Sequence, residues 1–404
     1  MGAASNSSID RGRSSPPRIV FLGHGAERTG PPILLAHLLR GLAATQSWEL
    51  SVLVARSGPL LDDYRGCTVR ATAVSKGREP LEPLSAGLRR LRLGTAATWA
   101  QARSRHRVAR NFTADLVYVN SATPATAALL RALDPPATTP VALHVHEMGI
   151  GLHQNLSETD RRFLLDRADH FIAASQPVAE LLADEHGVRR DRLSTCEEFV
   201  DVGALRPLPR AEARRSIGVP PKAHVVGSVG LPDWRKDPDH LLRALALLSD
   251  RQGRAPWAVW IGGDPTSPDG LRLAGEARRL GLGDRFVHVA HREDPASLLH
   301  ALDVFVLPAR EDAMPLAALE AAAVGLPLVC FRTGGIAGLC DAGAGMAVEY
   351  PDTSAFASAI AAMLDDPERR AATGATARSL VQEHNDLAVG VERIAAVLYP
   401  LLER

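Results

Sequence analysis

The 404-residue chain is short of lysine. Of its 46 basic residues only Lys76, Lys222 and Lys236 are lysines and the rest are arginines. Basic and acidic residues balance at 46 each, so no global charge draws the chain onto a polyanion, and nucleic-acid binding is not expected. Aromatics are sparse at 4%. The four cysteines (Cys67, Cys196, Cys330, Cys340) form no Cys-x-x-Cys pair, which excludes a disulfide scaffold or a cysteine metal cluster and points to a reducing, cytoplasmic setting. No run of about 18 apolar residues exists, so no membrane-spanning helix is expected. The first 17 residues, rich in Ser, Gly and Pro and without an apolar run, read as a disordered tail and not a signal peptide.

What remains is ordinary globular material, 46% hydrophobic and 23% charged, long enough for two or three domains. Short β-branched runs near 18–23, 49–55, 68–74, 116–119, 141–146 and 170–174 alternate with helical patterns at 124–133, 158–168 and 177–186. The rhythm breaks at Arg206-Pro207-Leu208-Pro209 and resumes with strands near 225–230, 257–262, 285–290, 303–307 and 327–331. Continuous apolar strands alternating with helices indicate parallel sheets covered on both faces. The fold class is therefore α/β, with two Rossmann-like doubly wound halves, 18–205 and 206–385, and a terminal helix, 386–404, packing back on the first half. Ligands of such sheets bind beyond the carboxyl ends of the strands, here in a central cleft faced by both halves.

Several motifs compete for function. Gly23, Gly25 and Gly30 fail the G-x-G-x-x-G spacing because Arg28 stands at the third position, so the glycines point to a close backbone approach and not to a nicotinamide cofactor. Asp237-Pro238-Asp239 has the D-x-D spacing of metal sites but opens a helix, where acids complement the dipole. His144 and His146 are two apart at a strand end, beside Glu147, and suit a polar site or structural roles better than a metal. Trp234-Arg235-Lys236 sets two cations at a strand end that begins a helix, where positive charge opposes the macrodipole unless an anion sits there. Glu311 and Asp312 follow an apolar strand, and Glu320 lies in an otherwise apolar run, where a buried carboxylate needs hydrogen bonds. Thr333-Gly334-Gly335 follows the next strand and lets backbone N–H groups approach a phosphate, or serves a plain turn. The seven arginines within 86–110, with no acid, suit a solvated helix face, a phosphorylated acceptor or a peripheral contact with an anionic membrane.

Taken together, Asp312-Ala-Met-Pro-Leu-Ala-Ala-Leu-Glu320, Leu326-Pro327-Leu328-Val329, Thr333-Gly334-Gly335, His144-Val-His146-Glu147, Ala174-Ser175 and Phe199-Val200-Asp201 resemble the bacterial family 4 retaining glycosyltransferases of GT-B fold, over residues 18 to 400. The resemblance implies an enzyme of the hexosyltransferase class. It would move a sugar from a UDP-sugar or GDP-sugar to a small-molecule acceptor, as in natural-product biosynthesis, with no metal and no other cofactor. It implies catalytic roles for His146, Asp312 and Lys236. Donor contacts would come from Arg235, Lys236, Glu311, Asp312, Met314, Leu316 and Glu320, with the backbone of Ala290 and His291 at the base. Gly30, His144 and Glu147 would lie on the acceptor side. Departures from the family pattern are Leu231 in place of an arginine, Asp312 in place of a glutamate and Gly338 in place of an acid. A cell-envelope glycosyltransferase, a nucleotide-sugar epimerase and a non-catalytic sugar-nucleotide-binding protein remain open, as do the base, the sugar, the acceptor and the oligomeric state.

Overall fold

The computed structural model describes residues 15–75, 103, 105–249 and 256–404. The expected tail 1–17 and the arginine-rich stretch 86–110 lie mostly outside the described residues, as does Lys76.

The first half runs β1 (Arg18–Gly25), α1 (Gly30–Thr45), β2 (Glu49–Arg56), α2 (Leu60–Cys67), β3 (Arg70–Ser75), β4 (Leu116–Asn120), α3 (Pro124–Leu133), β5 (Val141–Val145), α4 (Gly149–Asn155), α5 (Glu158–Arg167), β6 (His170–Ala173), α6 (Gln176–Asp184) and β7 (Leu193–Thr195). After it come α7 (Arg210–Ser216), β8 (Val225–Val229), α8 (Pro238–Ser249), β9 (Trp257–Ile261), α9 (Pro268–Arg279), β10 (Phe286–Val289), β11 (Val304–Leu307), α10 (Leu316–Ala323), β12 (Leu328–Phe331), α11 (Ile336–Leu339), β13 (Gly345–Val348), α12 (Thr353–Asp365), α13 (Pro367–His384) and α14 (Leu387–Leu402).

Two sheets result, in the orders β3-β2-β1-β4-β5-β6-β7 and β10-β9-β8-β11-β12-β13. Every described pairing between neighbouring strands is parallel, with Phe21 beside Val52 and Tyr118, and Val226 beside Ala258 and Val304. Parallel neighbours require crossover connections, which the helices supply. The central strands are apolar on both faces because both are covered: Ile19, Phe21, Leu22, Val225, Val226, Val304 and Val306 are at most 1% exposed. In the second sheet, Trp260, Leu241, Leu273, Phe331 and Phe356 pack into one core, with Phe331 stacked on Phe356. Strand order reverses between β1 and β4 in one sheet and between β8 and β11 in the other. Each reversal is a switch point where carboxyl ends of adjacent strands diverge.

The sheets part between β7 and β8, on either side of residue 205. The compact units are drawn differently. One comprises the described residues within 1–144, 157–170 and 395–404, and the other those within 145–156 and 171–394. In the first unit the last turns of α14 seat Tyr399 edge-on to Trp48, and its hydroxyl bonds the side chain of Gln46. Strands β7 and β13 and helices α2, α4, α7, α11, α12 and α13 are absent from the sequence reading. Most are short, whereas α13 is long but buries only Gly374, Ala377 and Val381, too few apolar positions to form a readable stripe. Among the described residues, no helix is long and apolar enough to cross a membrane.

Candidate functional site

At the switch point of the second sheet the loop after β8 meets the loop after β11. Lys236 leaves β8 through a turn in which its own N–H donates to the Asp233 carboxylate at 2.9 Å. Gly230, at φ +153°, lets the Lys236 stem pass close beneath it: a Cβ there would lie 3.2 Å from the Lys236 Cε. The ammonium reaches Asp312 Oδ2 at 2.5 Å, and Arg235 Nη1 reaches the same oxygen at 2.9 Å. Both partners of the lysine pair are about nine-tenths buried. Burial by itself would raise the Asp312 carboxyl, but Lys236 and then Arg235 outweigh it and hold it below the usual carboxylate range. Burial likewise opposes the charge on Arg235, and Asp312 and Asp233 overcome it. Two cations thus share one carboxylate oxygen, with Asp233 as a further acid beside Arg235.

Arg310 braces this turn. Its guanidinium donates to Trp234 O at 3.0 Å, its backbone N–H donates to Arg235 O at 2.8 Å, and it pairs with Asp237 at 3.0 Å. Asp237 also bonds His240 at 2.7 Å, while Asp239 takes both oxygens to Arg272 at 2.8 Å. Both acids of the D-x-D motif are therefore spent on protein partners. Among the described residues, no group of three or more His, Cys, Asp or Glu is placed to hold a metal ion.

The Thr333-Gly334-Gly335 turn is packed on the Asp312 loop. Asp312 N donates to Thr333 O and Gly335 N to Ala313 O. A Cβ at Gly334 would fall 1.6 Å from Asp312 O, and one at Gly335 would fall 2.6 Å from Ala313 O. These glycines are required by the neighbouring loop, the plain-turn reading. Met314 and Leu316 are buried at the start of α10, and Glu320 follows one turn on. The part-buried Glu320 carboxyl makes no hydrogen bond or ion pair to another described residue. Burial, and secondarily the charge of Asp294, pushes its pKa up to about 7.

Four further expected sites are placed as follows. Glu311, expected against the donor, spends its carboxylate on the N–H groups of Ile150 (2.9 Å) and Gly151 (2.7 Å), the open donors at the start of α4. His144, expected on the acceptor side, is a core histidine of the first unit: it is fully buried, its Nδ1 lies 2.5 Å from the Tyr118 hydroxyl, and strand alternation ends at Val145, before His146. Gly30 is exposed at the start of α1, and a Cβ there would meet nothing within 4 Å, so no neighbouring group of the protein requires the glycine. Finally, the His291 N–H donates to Gly263 O at 2.7 Å, and Ala290 beside it is exposed.

His146 lies beyond the end of β5, with its Nδ1 2.6 Å from Glu198 Oε1 and both side chains nearly inaccessible. Burial would lower its pKa, but Glu198, and then Glu147, raise it. Glu147 Oε2 also accepts from the His146 backbone N–H at 3.0 Å. Glu198 is absent from the sequence reading. Its only signal was a pair of acids before Phe199 at the interdomain turn. Lys236, Arg235, Glu311, Asp312, Glu320, His146, Glu147 and Glu198 all belong to the second unit, whereas Gly30 and His144 belong to the first.

Two family models match the chain, Glycosyltransferase Family 4 over residues 29–204 and Glycosyl transferases group 1 over residues 209–380. Curated relatives include D-inositol 3-phosphate glycosyltransferase 2 of Catenulispora acidiphila, 37% identical over 223 residues, and D-inositol 3-phosphate glycosyltransferase of Thermobispora bispora, 32% identical over 223 residues. Each match takes in 53% of this chain and 52% of the relative, so the chain spans about half the length of the curated relatives it matches. Among solved structures, Anabaena HepE in complex with UDP-glucose aligns with a TM-score of 0.75 at 19% identity, covering 95% of this chain and 100% of that one. Sucrose-phosphate synthase of Thermosynechococcus elongatus aligns with a TM-score of 0.75 at 21% identity, covering 96% and 99%. These likenesses show the fold, the GT-B arrangement of two Rossmann-like halves.

Proposed function

The chain belongs to the family 4 glycosyltransferases, and from that premise we propose that it transfers a sugar from a nucleoside diphosphate sugar to a small-molecule acceptor, with retention at the anomeric carbon and without a metal ion. The observation that carries this reading is the Arg235–Lys236 pair on a single Asp312 oxygen, at the switch point of a parallel sheet. Two fixed cations gathered on one carboxylate oxygen suit an incoming dianion. A diphosphate takes Lys236 and Arg235 from Asp312, and the released carboxylate then accepts hydroxyls of the sugar. Glu320, unpartnered in α10, accepts from the ribose hydroxyls. Met314 and Leu316 place the N-terminal N–H groups of α10 toward the phosphates.

As the sugar–phosphate bond breaks, negative charge grows on the leaving diphosphate, and Lys236 and Arg235 favour that state more than the ground state. The departing phosphate oxygen takes the acceptor's proton, so no separate base is required of the chain. His146 faces the sugar. The names of the curated relatives make a phosphorylated cyclitol the first acceptor to try, ahead of natural-product scaffolds.

Calorimetry of the full chain against UDP, GDP, ADP and dTDP, with and without EDTA, tests the donor site. One nucleotide is expected to bind with unchanged affinity in EDTA. Binding to none, or binding abolished by EDTA, rejects the reading. Turnover of the matching nucleotide sugar, with release of the nucleoside diphosphate, separates transfer from epimerisation and from simple binding.

A further inference from the structure

We propose that Glu198 is a positioning residue for His146, fixing both the orientation and the Nδ1 proton of the imidazole; the proposal rests on the reading of His146 as the side chain that faces the donor sugar.

The backbone around Glu198 is held from two directions. Its N–H donates to Ala174 O, just past β6, at 3.3 Å, and its carbonyl accepts from Asn385 Nδ2 at 2.9 Å. Asn385 is itself fully buried and its Nδ2 also reaches Glu197 Oε2 at 3.3 Å. The next residue, Phe199, is 1% exposed and seats against Gly390 in α14, where a Cβ would fall 2.0 Å from its ring. Val200 N then donates to Asn385 O at 2.9 Å. Glu198 is thus anchored before its side chain does anything.

That side chain does one thing. Oε1 meets His146 Nδ1 at 2.6 Å, and Oε2 is buried with no hydrogen-bond partner. A buried carboxylate is costly unless paired, and here the imidazole is the group that offsets it. An ionised carboxylate only accepts, so the Nδ1 proton sits between the two and the ring cannot flip without losing the bond. With Nδ1 committed, the chemistry of the imidazole is expressed at Nε2. Glu147, the other acid acting on the ring, reinforces the same polarity from the adjacent position.

The test compares wild type, Glu198→Ala, Glu198→Gln, His146→Ala and the double alanine variant, all as the full chain. In 15N-histidine-labelled protein, the Nδ1–H resonance that His146→Ala removes is expected far downfield in wild type, lost in Glu198→Ala and kept in Glu198→Gln, whose amide oxygen still accepts. In donor turnover, Glu198→Ala lowers kcat about 100-fold, the scale expected for a misaligned group. The donor KM is little changed, Glu198→Gln recovers part of the loss, and the double variant is no worse than His146→Ala. A wild-type spectrum without that resonance, unchanged kcat in Glu198→Ala, or a loss that adds to that of His146→Ala overturns the proposal. Should Glu198→Ala fail to fold, the isosteric Glu198→Gln and the wild-type resonance carry the decision. If wild type turns over no nucleotide sugar, the transferase reading fails, and the resonance still decides whether Glu198 holds the ring.

Discussion

Single side chains here are decided by who pairs with whom. Lys236→Ala leaves Asp312 with Arg235 alone and removes one cation from the diphosphate site. Nucleoside diphosphate binding is expected to weaken about 10- to 100-fold by calorimetry, in line with the ~1.5–3 kcal/mol typical of a hydrogen bond to a charged group. Glu320 sets a pH dependence. Its folded pKa, about 7, lies above the ordinary 4.5. Between those values the folded state holds a proton that the unfolded state has released, so stability falls as pH rises through this window and levels off above it. Glu320→Gln is therefore expected to be more stable than wild type at pH 8, by up to about 3 kcal/mol, with the gap closing toward pH 4.5 in urea denaturation at a series of pH values. Nucleotide binding runs the other way, strengthening as Glu320 ionises, and Glu320→Gln flattens that profile. Glu320 was legible in the sequence because an acid inside an apolar run has few harmless explanations. Glu198 was not, because its meaning comes from an imidazole 52 residues away.

At the level of elements, loops hold one another through groups that look like ligand contacts in the sequence. Glu311 supplies the acceptor that the first turn of α4 lacks, and Glu311→Ala is expected to cost about 2–4 kcal/mol in chemical denaturation, the loss of two charge-assisted bonds. Were Glu311 a donor contact instead, stability would hold and nucleotide-sugar affinity would fall. Gly334→Ala forces its methyl into the Asp312 carbonyl. It is expected to destabilise the fold by more than about 2 kcal/mol and to displace the carboxylate that Lys236 and Arg235 share, so nucleotide binding falls with it. The buried strands β1, β4, β5, β8, β11 and β12 were readable as short runs dominated by apolar, largely β-branched residues. Strands β7 and β13 were not: β7 is three residues with Ser194 and Thr195 among them, and β13 opens on Gly345, so neither carries an apolar run long enough to read.

For the molecule as a whole, the last helix is the clearest long-range feature. Residues 395–404 belong with the first unit, where Tyr399 meets Trp48. Deleting them strips an aromatic contact from that unit and is expected to lower its melting midpoint by about 5 °C or more in calorimetry, while nucleotide binding persists in the second unit. Sequence by itself determined the class of fold, because a parallel sheet covered on both faces can be built only from apolar strands separated by crossover helices. It also determined the spacing of Asp312 and Glu320, because a loop and the helix that follows it are local. Tertiary structure alone decided the partners. Lys236 and Asp312 are 76 residues apart, and Glu311 and Gly151 are 160 apart. Strand order is not chain order, so the carboxyl ends that become neighbours at a switch point come from distant stretches, and no local pattern records which charge will face which.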